Sequence, residues 1–203
     1  MTSTTPKTRR RDQNLEFAII AAAWKELQQK GYAALTLESV AKRARTSRSV
    51  LARRWSSKAA LIISAISYQL EQHPYTPPDL GQLRLELADY LAHASTLVPI
   101  ISSIISLLSD SKFRKEYPSP DLLSHALIIE PTANLRLILQ RAVQRDEIHA
   151  HKLTPPVVSL LNDLIGHHVL LYGAAPSAEL RQTWIDEIFL PLILKRPESL
   201  TLN

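Results

Sequence analysis

Apolar residues recur at helical spacing along most of the chain. The first stripe of this kind approaches Gly31, a residue type that commonly ends helices. Its members are Phe17, Ile20, Trp24 and Leu27. The pattern predicts a first helix that begins at Asp12 or Asn14, ends at about Lys30 and buries this stripe.

The second half of the chain continues the helical pattern, and no stretch shows the apolar and polar alternation of a strand over a convincing length. We expect helices at about Asp79 to Ser95, Leu97 to Ser109, Ser119 to Asp146, Pro155 to Tyr172 and Ser177 to Leu194. Pro131 should kink or divide the third of these, because proline cannot donate the helical hydrogen bond. The fold class is therefore predicted to be all-α.

Two short helices joined by a tight polar turn are predicted between Leu37 and Trp55. Thr36 can cap the first helix, whose inward positions are Leu37, Val40, Ala41 and Ala44. The pattern breaks at Arg45 and Thr46. Ser47 can then cap a second helix that turns Val50, Leu51 and Trp55 inward.

The outward positions of this second helix are cationic, hydroxylic or small: Arg48, Ser49, Ala52, Arg53 and Arg54. Long cations and hydroxyls reach base edges and phosphates in a major groove, and small residues allow close approach. The alternative is an ordinary helical hairpin with solvated charges. Against it, no Asp or Glu occurs between Ser39 and Ser67, whereas an ordinary exposed surface mixes both signs.

Charge is distributed unevenly along the 203 residues, whose net charge is +5. Residues 1–60 contain thirteen Lys or Arg against four Asp or Glu, while residues 61–203 contain eleven against fifteen. Residues 1–60 are basic and residues 61–203 are mildly acidic. This distribution indicates that only the N-terminal part binds a polyanion.

The residue types and motifs that the sequence lacks exclude several kinds of site and several classes of protein. The chain has no Cys, which excludes disulfides, thiolate metal sites and cysteine nucleophiles. It has no HExxH, P-loop, GxGxxG or GxSxG motif, so we expect neither an enzyme nor a cofactor. No signal peptide or apolar run of about 20 residues is visible, and a cytoplasmic location is expected.

A Pro-rich connection, His73 to Gly81, separates the basic and acidic portions and predicts a domain boundary. Three parts follow: a flexible basic arm at 1–12, a DNA-binding domain at 13–73 and a helical domain at 79–203. The arm is either a solvated tail or an extension that follows the DNA backbone or enters the minor groove.

The run GYAALTLESVAKRARTSRSVLARRWSSKAAL, Gly31 to Leu61, resembles the DNA-binding domain of the TetR family of bacterial transcriptional regulators. The matching positions are Gly31, Tyr32, Thr36, Ala41, Ala44, Ser47, Trp55, Ser57, Lys58 and Leu61. The chain departs from the family pattern at Arg45, where Gly is usual, and at Ala59, where an acid is usual. It also lacks the common recognition-helix Tyr, with Ser49, Val50 and Ala52 in that region.

The resemblance implies a three-helix helix-turn-helix domain, with the motif at about 36–55, and a larger C-terminal helical domain for ligand binding and dimerisation. We predict base or phosphate contacts by Arg48, Ser49, Arg53 and Arg54, and backbone contacts by Thr36, Thr46, Ser47 and Lys58. Arg45 and Ala52 complete the predicted DNA-binding set.

The helices at about 155–172 and 177–194 carry apolar residues around most of their circumference. One interpretation is deep burial within a monomer. The one we prefer, which the resemblance also implies, is that one face packs on the domain and the other pairs with a second subunit. A two-fold dimer would place two recognition helices about 34 to 36 Å apart, or a multiple of this, on a pseudo-palindromic site.

Scattered polar residues in the second domain are weak candidates for binding a small ligand: His93, Ser102, Ser106, His125 and Asn134. Each is individually better explained as a surface residue or as a hydroxyl bonded back to its helix. His167 and His168 diverge by about 100° on a helix and cannot both chelate one metal well, so no metal is expected.

These patterns, with the resemblance, predict a homodimeric transcriptional regulator. By family analogy it would be a repressor that releases its operator when an unknown small molecule binds. The competing interpretation is a helical protein-interaction module that has lost operator recognition.

Overall fold

The structure, a computed structural model, describes residues 6–127 and 132–194, with side chains described from residue 12 onward. Within these ranges the regular secondary structure is helical, and the only β-type contact is a single bridge between Ile148 and Leu194. The all-α prediction is confirmed. The helices of the first half are α1 Pro6–Ala34, α2 Leu37–Arg43, α3 Arg48–Arg54, α4 Lys58–Glu71, α5 Leu83–Thr96 and α6 Val98–Ser109.

The second half contains shorter and less regular helices. They are α7 Phe113–Glu116, α8 Pro120–Ala126, α9 Ala133–Gln144, α10 Pro155–Tyr172, α11 Ala178–Thr183 and α12 Leu190–Ile193. The predicted helix from 119 to 146 is two helices, α8 and α9, although Pro131 itself lies outside the described residues. A π-helical segment, Trp184–Phe189, joins α11 to α12. This segment precedes Pro191, which has no N–H for the regular helical bond.

The first helix begins earlier than predicted. It starts at Pro6, so residues 6–11 of the predicted arm are helical, while residues 1–5 lie outside the described part. Proline is well suited to the first position of a helix, where its missing N–H is not needed, and the following Lys and Arg are good helix formers. Near the other end, Gly31 has φ 70° and ψ 170°, so the regular helix stops there as the sequence indicates.

The chain clusters into two compact units, and they differ from the predicted domains. The first unit comprises Met1–Pro74 and Ser103–Ile129, and the second comprises Tyr75–Ser102 and Glu130–Asn203. The division at residue 74 falls inside the predicted connection. The return of residues 103–129 to the first unit was not foreseen, because hydrophobic periodicity carries no information on which distant helices pack together.

In the first unit, α1 packs against α4 and α2, and α2 packs against α3. Ile20 and Leu27 of the predicted stripe are buried, but Phe17 is 49% exposed and contacts Tyr68 at 5.6 Å between ring centroids. Its predicted burial is wrong, and Ile19, on the neighbouring position of the helix, is fully buried instead. The fully buried set of α4 is Ala59, Leu61, Ile62, Ala65 and Ile66.

The second unit is built on α5, which packs against α9, α11 and the π-helical segment. Leu87 and Leu91 of α5 and Leu135 and Ile138 of α9 are fully buried. Arg84 adds a bidentate ion pair to Asp186, with N to O distances of 2.7 and 2.6 Å. Among the helices of the described ranges, none is by itself long and apolar enough to cross a membrane. The bent pair α5 and α6 does meet that criterion of length and composition.

Candidate nucleic-acid interface

The first helix of the predicted motif, α2, is closed at its N-terminus by a reciprocal cap. Thr36 Oγ1 accepts a hydrogen bond from the Ser39 amide at 3.1 Å, and Ser39 Oγ accepts one from the Thr36 amide at 3.4 Å. Val40 and Ala41 are buried behind it. Thr36 is exposed, so the predicted cap is confirmed, and its hydroxyl lies at the surface of the motif.

The turn between the two helices is a Schellman motif with an unusual residue in it. The Thr46 amide donates to the Ala41 carbonyl at 3.0 Å, and the Arg45 amide donates to the Lys42 carbonyl at 3.2 Å. Arg45 itself adopts φ 54°, a left-handed conformation that costs an L-residue roughly 1–2 kcal/mol. This is the position at which the family resemblance expects Gly, and here it presents an exposed cation instead.

The second helix, α3, is anchored by Leu51, which is 1% exposed. Ser47 has the extended backbone of a capping residue, but its side chain makes no capping hydrogen bond, so that part of the prediction is wrong. Its hydroxyl is 2.8 Å from the Ser49 hydroxyl instead. Both serines lie exposed at the start of the helix, and their hydroxyls bond to each other rather than to the first amides of α3.

The outer face of α3 carries cations that are exposed or weakly paired. Arg48 Nη1 lies 2.9 Å from Glu38 Oε1, and because both side chains are more than half exposed, this pair contributes little to stability. Arg53 and Arg45 are exposed and have no side-chain partner within the described ranges. Together with Ser47, Ser49 and Ala52, all exposed, these residues form one surface, which we call the α3 face.

Two predicted DNA-contacting cations are engaged elsewhere. Arg54, 19% exposed, is paired with Asp12 and with Glu16 at 3.3 Å, and so it ties the end of α3 to α1. Lys58 Nζ donates to the carbonyls of Tyr32 at 2.8 Å and Leu35 at 3.1 Å. A DNA contact by either residue remains a prediction, but it would require these bonds to break.

The surroundings of Lys58 explain why it turns inward. Its Nζ lies 3.9 Å from the centroid of the Tyr32 ring, a cation–π contact, and it satisfies carbonyls at the end of the first helix. Burial lowers the pKa of Lys58, the Asp110 carboxylate opposes that shift and the Lys112 ammonium adds to it. Lys58 therefore acts as a C-terminal cap that joins α4 to α1.

A buried carboxylate supports the motif from behind, and the sequence analysis did not single it out. Glu26 is 2% exposed and lies 2.7 Å from Lys30 Nζ and 2.6 Å from Arg43 Nε. Arg43 also donates to Gln29 Oε1 at 2.6 Å. Hydrogen bonds from Lys30, Ser39 and Arg43 lower the pKa of Glu26 to about 2 despite its burial. A Glu on the inner side of an otherwise apolar stripe was the signal that could have revealed it.

The weak ligand candidates do not share one environment. His93 stacks on Tyr75 at 4.2 Å between ring centroids, Ser102 and Asn134 are half-buried, and Ser106 and His125 are exposed. The buried hydroxyl is that of the neighbouring Ser103, which accepts a hydrogen bond from Gln28 at 2.6 Å. Within the described residues, no group of three or more His, Asp or Glu could hold a metal ion.

The two helices predicted to pair with a second subunit each have a buried and an exposed apolar side. In α10, Leu161, Ile165 and Val169 are buried, whereas Leu170 and Leu171 are each 59% exposed. The last helical region repeats this arrangement: Trp184, Ile185 and Phe189 are buried, while Ile188 and Leu192 are exposed. The exposed residues, together with Tyr172, form what we call the α10–α12 apolar face.

Comparison with known proteins agrees with this geometry. The sequence profile of the bacterial regulatory proteins of the tetR family matches residues 19–65, which contain α2, α3 and the start of α4. An uncharacterized HTH-type transcriptional regulator of Mycobacterium bovis is 28% identical over 188 residues, covering 89% of this chain and 88% of that protein.

Solved structures share the fold along nearly the whole chain. A TetR transcription regulator of Haloarcula marismortui has a TM-score of 0.65 at 17% identity, covering 90% of this chain and all of that one. A transcriptional regulator of Saccharomonospora viridis, solved in complex with choline, has a TM-score of 0.61 at 13% identity, covering 91% and 100%. Residues 19–65 thus match the DNA-binding domain of the tetR family, and nearly the whole chain shares the fold of solved TetR-family regulators.

Proposed function

We propose that the protein is a ligand-responsive repressor that binds a pseudo-palindromic operator as a homodimer. The observation that carries the DNA-binding part is the α3 face, which presents Arg48 and Arg53 on a helix whose inner side is fixed by Leu51, with Arg45 in the turn before it. A rigid helix with exposed cations and small residues suits insertion into a major groove. No catalytic role is proposed, since the relatives are transcriptional regulators, and a DNA reader would work in the cytoplasm, beside the chromosome.

The individual contacts follow from position on the α3 face. Arg48, Ser49 and Arg53 lie on α3 and are proposed to contact base edges or nearby phosphates, with Ala52 allowing close approach. Thr36, Thr46 and Ser47 lie at helix ends or in the turn, and their hydroxyls are proposed to bind phosphate oxygens. Arg45 adds a cation beside them.

Dimerisation is proposed to occur through the α10–α12 apolar face. Leu170, Leu171 and Leu192 together expose apolar surface of a kind that monomeric proteins rarely leave uncovered. A two-fold interface is self-complementary, so one such face on each subunit is sufficient. Sedimentation of Leu171→Glu should show a monomer if this face pairs the subunits.

A small molecule bound in the helical second domain is proposed to weaken DNA binding. The Saccharomonospora viridis neighbour was solved with choline, which supports a small-molecule effector for this chain as well. His93, Ser102, Ser106, His125 and Asn134 remain the candidate contacts. A ligand that favours a spacing of recognition helices unsuited to the operator must weaken DNA binding by the same free energy by which DNA weakens ligand binding.

The decisive experiment selects duplexes from a randomised pool with the purified chain and then measures their affinity. We expect a pseudo-palindromic site and a steep fall of affinity with salt, because several cations displace counterions from phosphates. The double variant Arg48→Ala, Arg53→Ala should lose at least about 30-fold in affinity while keeping its thermal midpoint. If the variant binds the selected duplex as tightly as the wild type, the protein-interaction alternative is the better explanation.

A further inference from the structure

We propose that residues 111–118, here called the α7 segment, form a second DNA-contacting surface whose Lys112, Arg114 and Lys115 bind phosphates that flank the base pairs read by α3. This inference rests on the proposed function, since it requires that α3 holds a duplex. The segment is remote in sequence from the helix-turn-helix motif, but it belongs to the same compact unit.

Contacts with both α1 and α4 fix the α7 segment beside the motif. Phe113 is fully buried and meets the Tyr32 ring edge-on at 5.2 Å between centroids, and Tyr117 stacks on Phe113 at 5.0 Å. On the α4 side, Ser57 Oγ donates a hydrogen bond to Glu116 Oε2 at 2.7 Å. The segment is therefore held at the N-terminus of α4.

The contact between the α7 segment and Ser57 lies close along the chain to the end of α3. Ser57 is the N-cap of α4 and follows the last residue of α3, Arg54, by three positions. Three residues span at most about 11 Å even when fully extended. Ser57, to which Glu116 of the α7 segment is bonded, is therefore within about 11 Å of the end of α3.

The acids of this region have local partners, whereas its cations do not. Asp110 Oδ1 accepts hydrogen bonds from the amides of Lys112 at 2.8 Å and Phe113 at 2.9 Å, and Glu116 is bonded to Ser57. The exposed side chains of Lys112, Arg114 and Lys115 have no hydrogen bond or ion pair anywhere in the part of the chain that the structure describes. They are available to an anionic partner.

The α7 segment carries exposed cations, whereas the ammonium of Lys58 is already bonded to two carbonyls. The ammonium of Lys58 points to the carbonyls of Tyr32 and Leu35, yet it remains near enough to Lys112 for the two charges to interact. An open depression of 280 Å³ on the α7 segment is lined by Ser111, Arg114, Lys115 and Pro118. The α7 segment, bonded to Ser57 through Glu116, thus carries three cations, and a phosphate backbone is a repeating anion that such an array fits.

The test uses the full chain and the duplex that the wild type selects from a randomised pool, prepared with about ten flanking base pairs on each side and also trimmed to the selected site. For the variant Lys112→Ala, Arg114→Ala, Lys115→Ala on the long duplex, the slope of log affinity against log salt should become shallower by about 5, because three contacts are lost on each of the two subunits. Each phosphate contact contributes about 0.9 to that slope. On the trimmed duplex, the variant and the wild type should bind alike.

Matched controls separate charge from folding. Lys112→Arg with Lys115→Arg keeps the charge and should keep the wild-type slope, and all variants should keep the wild-type thermal midpoint because these side chains are exposed. An unchanged slope for the triple alanine variant on the long duplex would show a solvated surface only, and the α3 proposal would still stand.

Two further outcomes would also overturn the inference. An equal loss on both duplexes would place the contacts inside the core site rather than in its flanks. If the wild type binds no duplex more tightly than the Arg48→Ala, Arg53→Ala variant does, then the proposed function fails and this inference fails with it.

Discussion

The four Arg and Lys residues from position 48 to position 58 form two pairs in different environments. One pair is exposed, and the other is bonded to α1 and the residues after it. Arg48 and Arg53 lie on the α3 face, the first in an exposed ion pair and the second without a partner within the described ranges. Arg54 and Lys58 instead hold α3 and α4 to α1 through Asp12, Glu16 and two carbonyls. The same residue types lie either exposed or bonded to a neighbouring helix, and the difference depends on what the fold places opposite each one.

Among the residues that hold the helices together, Glu26 is expected to give the largest loss of stability when it is substituted. In Glu26→Gln the carboxylate charge is lost while the shape is kept, and its hydrogen bonds with Lys30 and Arg43 weaken. A hydrogen bond to a charged group is worth about 1.5–3 kcal/mol, so the free energy of unfolding should fall by about 2 kcal/mol. Urea denaturation measures this loss, and no loss would show that the buried ion cluster is dispensable.

Acid should weaken the same cluster in the wild type, by less than the substitution does. The folded pKa of Glu26 is about 2, below its ordinary value of 4.5. Its contribution is therefore fully present above about pH 4.5 and is lost as the pH falls from there toward 2. Denaturation at several pH values should show a smaller acid dependence for Glu26→Gln than for the wild type. Equal dependences would contradict the lowered pKa.

Lys58→Met distinguishes between a cation that stabilises the fold and a cation that contacts DNA. Methionine keeps the length of the side chain but leaves the carbonyls of Tyr32 and Leu35 without a donor, so stability should fall by about 1–2 kcal/mol. If Lys58 is a scaffold residue, the salt dependence of DNA binding should stay unchanged. A slope shallower by about 1.8, which is one contact of about 0.9 on each of two subunits, would instead establish the phosphate contact that the family resemblance implies.

The smallest effect is expected in the turn. Arg45→Gly relieves a left-handed backbone conformation and should raise the free energy of unfolding by about 1 kcal/mol. Arg45→Ala removes the same charge but keeps most of the strain, so it should leave stability nearly unchanged. If Arg45 contacts phosphate, both variants should lose DNA affinity equally, measured by titration at one salt concentration. Unequal losses would implicate the backbone of the turn rather than the charge.

Local sequence patterns predicted the motif well, because the signals that start and stop short helices lie within a few residues of each other. Thr36 caps α2 as expected, Leu51 is the buried anchor of α3, and the chain turns at Arg45. The patterns failed where a choice depended on distant partners. Phe17 was predicted to be buried, but it is 49% exposed, and Ile19 is buried instead.

The sequence by itself determined that this is a helical protein with a cationic motif near its start, since helical periodicity and charge are local properties that survive any arrangement of the helices. Tertiary structure alone decided which cations are free, because that depends on Asp12, Glu16 and the carbonyls of Tyr32 and Leu35, which periodicity does not place. It also decided that residues 103–129 return to the first unit, where Phe113 and Glu116 meet Tyr32 and Ser57. Packing between distant helices depends on the complementarity of their whole surfaces, and a short stretch of sequence does not specify that complementarity.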